Sequence, residues 1–148
     1  MREVLCLNGP NLASLGRREP AVYGAETLDQ IMARLARRAA ELAVELRCVQ
    51  SNHEGQLIDA LERADGACAA ILNPGGLSHT SVALRDAVTS FARPVVEVHL
   101  SNVHARDPFR RRLLTAGAAR GVICGLGGLG YLLALEAVVQ LHSEAPRS

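Results

Sequence analysis

The chain has 148 residues, of which 49% are hydrophobic and 21% are charged, with a formal net charge of +1. These values are typical of a globular domain and exclude a disordered chain or a small disulfide scaffold. A chain of this length buries roughly 68–70% of its unfolded surface on folding, so we expect one domain over residues 1–148. The 16 cationic and 15 acidic side chains nearly balance, and nucleic acid is therefore not an expected partner.

All the cationic side chains are arginine, and the chain contains no lysine. A lysine Schiff base, a P-loop lysine and a lysine general base are therefore impossible. No apolar run approaches the 18 or more residues of a membrane-spanning helix, and the apolar stretch near the N-terminus is too short for a signal peptide. We expect a cytoplasmic protein without a membrane partner.

The four cysteines stand far apart, and no pair has the C-x-x-C spacing of a zinc site or a redox dithiol. Each lies in or beside an apolar run that we interpret as a strand. The sequence therefore predicts no metal site and four buried free thiols. They are Cys6, Cys48, Cys68 and Cys124.

Short apolar runs alternate along the chain with longer helical patterns, which predicts an α/β domain around a parallel sheet. The first long helix starts at a capping box formed by Thr27 and Gln30, and its apolar face continues to Leu46. Right-handed crossovers then favour a flavodoxin-like, doubly wound, five-stranded parallel sheet of order 2-1-3-4-5. The predicted strands are 4–7, 47–50, 68–72, 94–98 and 121–124, and the later helices are 55–64, 78–91 and 129–142.

Residues 9–24, between the first strand and the first long helix, contain three glycines, two prolines and three charged residues. This segment is too long and too irregular for a simple connection, and such loops are usually functional. We expect it to be an active-site lid that is mobile without ligand and closes over substrate.

Polar residues follow each of the first four predicted strands. In a doubly wound sheet, ligands bind beyond the carboxyl ends of the strands. Turn and helix capping explains any one of these clusters, but four at one edge favour a binding site. The clusters are residues 8–11, 51–54, 73–79 and 99–102.

Several sequence blocks occur in a recognisable order and spacing over residues 4–138. Together they resemble the type II 3-dehydroquinate dehydratase family. The blocks are Leu7-Asn8-Gly9-Pro10-Asn11-Leu12 with Gly16-Arg17-Arg18-Glu19-Pro20 and Tyr23-Gly24, then Ser51-Asn52-His53-Glu54-Gly55, then Asn73-Pro74-Gly75-Gly76 with residues 78–86, then residues 97–106, and finally Gly130-Tyr131-Leu132-Leu133-Ala134-Leu135.

The resemblance implies the dehydration of 3-dehydroquinate to 3-dehydroshikimate on the shikimate pathway, for chorismate and aromatic amino acid biosynthesis. It implies an anti elimination through an enol or enolate intermediate, without metal or cofactor. The absence of lysine agrees with this implication, because type I enzymes use a lysine Schiff base for the same overall reaction.

The resemblance also assigns catalytic roles. Tyr23 matches the base, and because a free tyrosine has a pKa of about 10 it needs a nearby cation, which Arg18 matches. His99 matches the general acid that protonates the leaving hydroxyl, and Glu97 matches its carboxylate partner. Glu97 also lies in a strand that we expect to be buried, where a carboxylate needs a partner. Asn11 matches a residue that orients a water near the developing enolate.

The remaining matches concern substrate binding. The backbone N–H groups of Leu100 and Ser101, with the Asn73 amide, are expected to receive the substrate carboxylate. His79 and Arg110 match residues that hold the ring hydroxyls.

Asp86 matches a residue that reaches the site of a neighbouring subunit. The resemblance therefore implies an obligate homo-oligomer, a dodecamer built from trimers.

The sequence departs from the family pattern at Ala13-Ser14, inside the predicted lid, and over residues 112–117. We expect these changes to affect lid closure, packing and assembly, with no site role lost in the second segment. His53 and Glu54 belong to a family block, but Glu54 is equally explained as a helix-start residue. Tyr131 is interpreted as structural.

Two other functions are compatible with parts of the sequence. Residues 125–130 satisfy G-x-G-x-x-G after a predicted strand, as in an NAD-binding module. No later strand supplies the acidic residue that would bind the ribose, so these glycines are better interpreted as positions of close helix-to-sheet packing. A non-catalytic flavodoxin-like module that binds a small acid is the second alternative, since this fold supports many functions.

Overall fold

The computed structural model describes residues 2–144. It confirms the predicted sheet, which is parallel throughout with strand order 2-1-3-4-5. The register places Asn8 of the first strand beside Asn73 of the third, so their polar ends meet at one edge. The strands are β1 (Arg2–Asn8), β2 (Val44–Gln50), β3 (Ala67–Asn73), β4 (Val95–His99) and β5 (Gly121–Cys124).

Helices cover both faces of the sheet. Val4 and Cys6 contribute to one apolar cluster, and the alternate residues Leu5 and Leu7 contribute to the other, as the two-residue period of a strand requires. Within residues 2–144, no helix combines the length and the apolar character needed to cross a membrane. The helices are α1 (Pro20–Tyr23), α2 (Leu28–Glu41), α3 (Glu54–Glu62), α4 (Val82–Phe91), α5 (Pro108–Arg111) and α6 (Leu129–Glu144).

The first long helix begins as predicted but ends earlier. Its capping box is present, with the Gln30 N–H donating to Thr27 Oγ1 at 3.1 Å and the Thr27 N–H donating to Gln30 Oε1 at 2.9 Å. The prediction that the helical face continues to Leu46 is wrong, because the backbone reverses at Ala43 with φ at 56°. Leu46 instead packs on the core from β2.

Two further boundaries differ from the prediction. Residues 75–79 form a 3-10 turn, and α4 begins only after Ser81, whose Oγ accepts the Leu84 N–H at 2.8 Å. The fourth strand begins at Val95 instead of Pro94, because proline has no N–H to donate to a strand ladder.

The prediction of four buried thiols is wrong for three of them. Cys6 is buried, Cys48 is exposed, and Cys68 and Cys124 are partly buried. Cys48 and Cys124 lie on β2 and β5, the edge strands of the sheet, which are covered less completely than the central strands. The adjacent Cys48 side chain and then burial raise the pKa of the Cys6 thiol.

The predicted lid is only partly a loop. Leu12 begins a short 3-10 turn, and the side chains of Leu12 and Leu15 are buried in the core. The rest of the segment, which includes α1, lies between Gly16 and Gly24, whose φ angles are 88° and 84°. Glycine adopts such angles at low cost, so the part of the predicted lid that carries Arg18 and Tyr23 is bounded by two permissive positions.

Candidate active site

A cavity of about 160 Å³ opens at the carboxyl ends of β3 and β4. The 3-10 turn after β1, helix α1 and the segment after β4 contribute the remaining walls. The sequence-predicted site residues that line it are Asn11, Arg18, Tyr23, Asn73, His79, His99, Leu100, Ser101 and Arg110. Glu97 lies behind this wall, and Asp86 does not line the cavity.

His99 and Glu97 form a buried pair at the end of β4. They are two residues apart on one strand, so both side chains lie on the same face of the sheet. Glu97 Oε2 is 2.8 Å from His99 Nε2, and the two side chains are 0% and 8% exposed. A carboxylate can only accept, so Nε2 carries the hydrogen of this bond. The other ring nitrogen, Nδ1, is left to exchange a proton with a ligand.

Glu97 has a second hydrogen-bond partner in Thr115, whose hydroxyl donates to Oε1. Thr115 is itself fully buried. The sequence analysis assigned Thr115 no role, although the structure places its hydroxyl against the carboxylate of the proposed acid pair. The only sign of this contact in the sequence is a threonine next to aliphatic residues, and such a residue does not indicate which side chain its hydroxyl will contact.

The ring of Tyr23 lies near two guanidinium groups. The Cζ atom of Arg18 is 4.9 Å from the ring centroid, and that of Arg106 is 5.1 Å from it. The sequence predicted Arg18 but gave Arg106 no role, although Arg106 belongs to one of the family blocks. Two positive charges beside this ring would stabilise a phenolate.

A buried hydrogen-bond network fixes the amide of Asn73. Its Nδ2 donates to the Tyr131 hydroxyl at 2.8 Å, and its Oδ1 accepts the Gly75 N–H at 3.2 Å. The Tyr131 hydroxyl donates onward to Asn8 Oδ1 at 2.7 Å. Burial raises the pKa of Tyr131, so it remains a donor. The Gly75 contact fixes the orientation of the amide, because reversing it would bring the Nδ2 donor against the Gly75 N–H donor. One of the two Nδ2 hydrogens is bonded to Tyr131, and the other is available to a ligand.

His79 and Arg110 bring further polar groups to the lining of the cavity. His79 Nδ1 lies 2.9 Å from the Arg112 carbonyl oxygen, which leaves Nε2 free of that contact. The Nε of Arg110 is buried without a hydrogen-bond partner among residues 2–144, and its nearest carboxylate oxygen, Asp107 Oδ2, is 3.8 Å away. A buried, unpaired donor at a cavity wall is well placed to bind an acceptor on a ligand.

Comparison with known proteins assigns the chain that forms this cavity to a family. The model of a family described as Dehydroquinase class II matches residues 2–139. The chain belongs to the class II dehydroquinase family. The predicted resemblance is confirmed at the level of the family and its fold.

Relatives and solved structures agree with this family assignment. The 3-dehydroquinate dehydratase of Tolumonas auensis is 55% identical over 142 residues, covering 95% of this chain and 93% of the relative. The 3-dehydroquinate dehydratase of Pelotomaculum thermopropionicum is 51% identical over 140 residues, covering 94% and 97%. The crystal structure of the type II dehydroquinase of Butyrivibrio crossotus superposes with a TM-score of 0.92 at 37% identity, covering 93% of this chain and 97% of that one.

Besides Glu97, three residues considered from the sequence lie outside the cavity wall. Asp86 is exposed on α4, and its contact with a neighbouring subunit stays a prediction. His53 and Glu54 are exposed where α3 begins, in agreement with the helix-start interpretation. Their neighbour Asn52 does contact a residue of the cavity wall, since its Oδ1 accepts the backbone N–H of Asn11 at 3.0 Å.

The glycine-rich segment 125–130 serves packing in this dehydroquinase. A Cβ at Gly130 would lie 3.3 Å from Val98 Cγ1 and 3.5 Å from Ile123 Cγ2, so α6 lies close against β4 and β5. None of residues 125–130 lines the cavity that Tyr23 and His99 share. These contacts support the packing interpretation over the NAD-binding one.

Proposed function

We propose that this chain dehydrates 3-dehydroquinate to 3-dehydroshikimate, the third step of the shikimate pathway, by anti elimination through an enol or enolate. The family assignment supports the substrate and the overall reaction. The observation that carries the mechanism is one cavity lined by Tyr23, beside two guanidinium groups, and by His99, backed by a buried carboxylate. A base and an acid on one substrate are what this elimination requires.

The first step is proton removal from the carbon next to the substrate ketone. The Tyr23 phenolate takes the proton, the C–H electron pair forms a C=C bond, and the ketone oxygen becomes an enolate oxygen. Arg18 and Arg106 stabilise the phenolate before transfer. Asn11 orients a water that donates to the developing enolate.

The second step expels the hydroxyl group. The enolate re-forms the ketone, its C=C electrons form the new ring double bond, and the C–O bond breaks. His99 supplies the proton that turns the leaving hydroxyl into water, and Glu97 stabilises the imidazolium before that transfer. Every proton in this scheme moves between side chains and substrate, so it needs no metal or cofactor.

The substrate carboxylate is held at the ends of β3 and β4. The free N–H of Asn73 and the backbone N–H groups of Leu100 and Ser101 provide its donors. His79 and Arg110 hold ring hydroxyls, and the unpaired Nε of Arg110 is the donor for this contact.

The proposal extends to assembly and location. The chain acts as a single catalytic domain over residues 1–148 in a cytoplasmic homododecamer built from trimers. Asp86 of one subunit reaches the site of the next, which agrees with its exposure on α4 away from its own cavity. The part of segment 9–24 between Gly16 and Gly24 closes over the bound substrate.

The decisive experiment mixes the purified protein with 3-dehydroquinate and follows the ultraviolet absorbance of the conjugated enone in the product. Growth of this absorbance in proportion to protein concentration is the expected result. Calorimetric titration with the same compound runs in parallel. Heat of binding without absorbance change would overturn the proposal in favour of a non-catalytic module that binds a small acid.

Arg18→Ala and Arg106→Ala should each lower kcat by about tenfold. Each removes a positive charge about 5 Å from the Tyr23 ring, and with it part of the electrostatic stabilisation of the negative charge on the base. Arg63→Ala, which removes an exposed arginine directly after α3, is the matched control. An unchanged kcat in Arg106→Ala would show that Arg18 alone supports Tyr23.

A further inference from the structure

The buried carboxylate of Glu97 requires an explanation beyond its histidine partner. Its side chain is completely buried, and an ionised carboxylate in such a place is costly unless its oxygens are hydrogen-bonded. His99 contacts only Oε2, whereas Oε1 receives the Thr115 hydroxyl. Thr115 therefore supplies the hydrogen bond to the carboxylate oxygen that His99 does not contact.

The backbone around Thr115 is held in place by two other parts of the fold and by its own turn. The Leu114 N–H donates to the Ser78 carbonyl at 2.6 Å, and Arg85 Nη1 donates to the Leu114 carbonyl at 2.5 Å. The Thr115 carbonyl accepts the Ala118 N–H at 3.1 Å. These bonds present the hydroxyl to Glu97 from a fixed position.

We propose that Thr115 is a positioning residue that acts on the general acid through Glu97. With Oε1 bound to Thr115, rotation of the carboxylate is restricted and Oε2 faces His99 Nε2. His99 therefore keeps its Nε2 hydrogen on Glu97 and presents Nδ1 toward the cavity. The Thr115 hydrogen bond also withdraws negative charge from Oε2, so the imidazolium gives up its proton to the leaving hydroxyl more readily.

This inference rests on the proposed function, and Thr115→Val tests it because valine keeps the volume and removes the hydroxyl. We expect kcat to fall about tenfold, the effect of losing one hydrogen bond from the transition state, with KM nearly unchanged because Thr115 does not line the cavity. The less neutralised Glu97 charge then holds the imidazolium proton more tightly. The alkaline limb of the kcat/KM profile should move upward by about half a pH unit.

Thr115→Ser and Thr115→Cys separate hydrogen bonding from packing. Serine keeps the donor and loses the methyl group, while cysteine offers a weaker donor of similar size. A positioning role predicts that kcat and the alkaline limb follow donor strength, with serine close to wild type, cysteine intermediate and valine the most affected. A packing role predicts that valine is closest to wild type, and that order would overturn the inference.

Ser81→Ala is the matched control, since it also removes a hydroxyl from a buried hydrogen bond, at the start of α4. It should lower Tm by several degrees without moving the alkaline limb. If Thr115→Val does not fold, the serine and cysteine variants still decide the order of effects. Wild-type activity with no difference among the Thr115 variants would refute this inference alone, whereas an inactive, folded wild type would refute the proposed function.

Discussion

Replacing Tyr23 with phenylalanine is expected to lower kcat by about 10³-fold while KM stays near the wild-type value. The change removes the phenolic oxygen that takes the substrate proton, and general-base catalysis contributes rate factors of this order. The ring that packs near Arg18 and Arg106 is retained. The measurement is the initial rate of enone formation over a range of 3-dehydroquinate concentrations.

Tyr131→Phe provides the matched comparison, because Tyr131 is the only other tyrosine in the chain. Its hydroxyl holds the Asn73 amide, which we propose binds the substrate carboxylate. Losing this acceptor removes one of the two hydrogen bonds that fix the amide, so KM should rise about tenfold and kcat should change much less. The same chemical change at two tyrosines thus separates a role in proton removal from a role in binding. A loss of kcat at Tyr131 as large as that at Tyr23 would remove the distinction and contradict the assignment of Tyr23 as the base.

Much of the fold follows from the sequence, and the errors have identifiable causes. The alternation of short apolar runs with helical patterns predicts the parallel sheet, and right-handed crossovers favour the observed order of its five strands. Leu42 and Leu46, four residues apart, fit a helical face as well as a strand, and no residue type signals the reversal at Ala43. An alanine with positive φ is rare, so local preference predicts a continuing helix there.

The burial of the cysteines could have been predicted better. The predicted strand order already places 47–50 and 121–124 at the two edges of the sheet, and one side of an edge strand is open. Cys48 is accordingly exposed and Cys124 only partly buried. The apolar character of the runs indicated strands, but it did not indicate how completely each strand is covered.

The site was predictable where its residues belong to recognisable blocks, and not where they meet only through the fold. Tyr23 and His99, which line the cavity, were predicted in this way. Thr115 lies 18 residues from its partner Glu97, and Tyr131 lies 58 residues from Asn73. Such contacts depend on how α6 and the segment before β5 pack on the sheet, which no local pattern specifies.

Replacing His99 with asparagine is expected to block the second step and leave the first intact. Asparagine can form a hydrogen bond to the leaving hydroxyl but cannot transfer a proton to it, so the rate of enone formation should fall by about 10³-fold. Tyr23 and its two arginines are untouched, and the enolate can still form and be reprotonated. In D₂O the variant should therefore exchange the substrate hydrogen next to the ketone, which mass spectrometry detects in recovered 3-dehydroquinate.

In Tyr23→Phe we expect no exchange of the substrate hydrogen in D₂O, because without its base the enolate does not form. Two variants with similar losses of dehydration are thus distinguished by whether deuterium enters the unreacted substrate. Glu97→Gln should resemble the His99 variant with a smaller loss, because the imidazole remains but its buried counter-charge at 2.8 Å is gone. Exchange in Tyr23→Phe, together with none in His99→Asn, would reverse the two roles and make His99 the group that removes the proton.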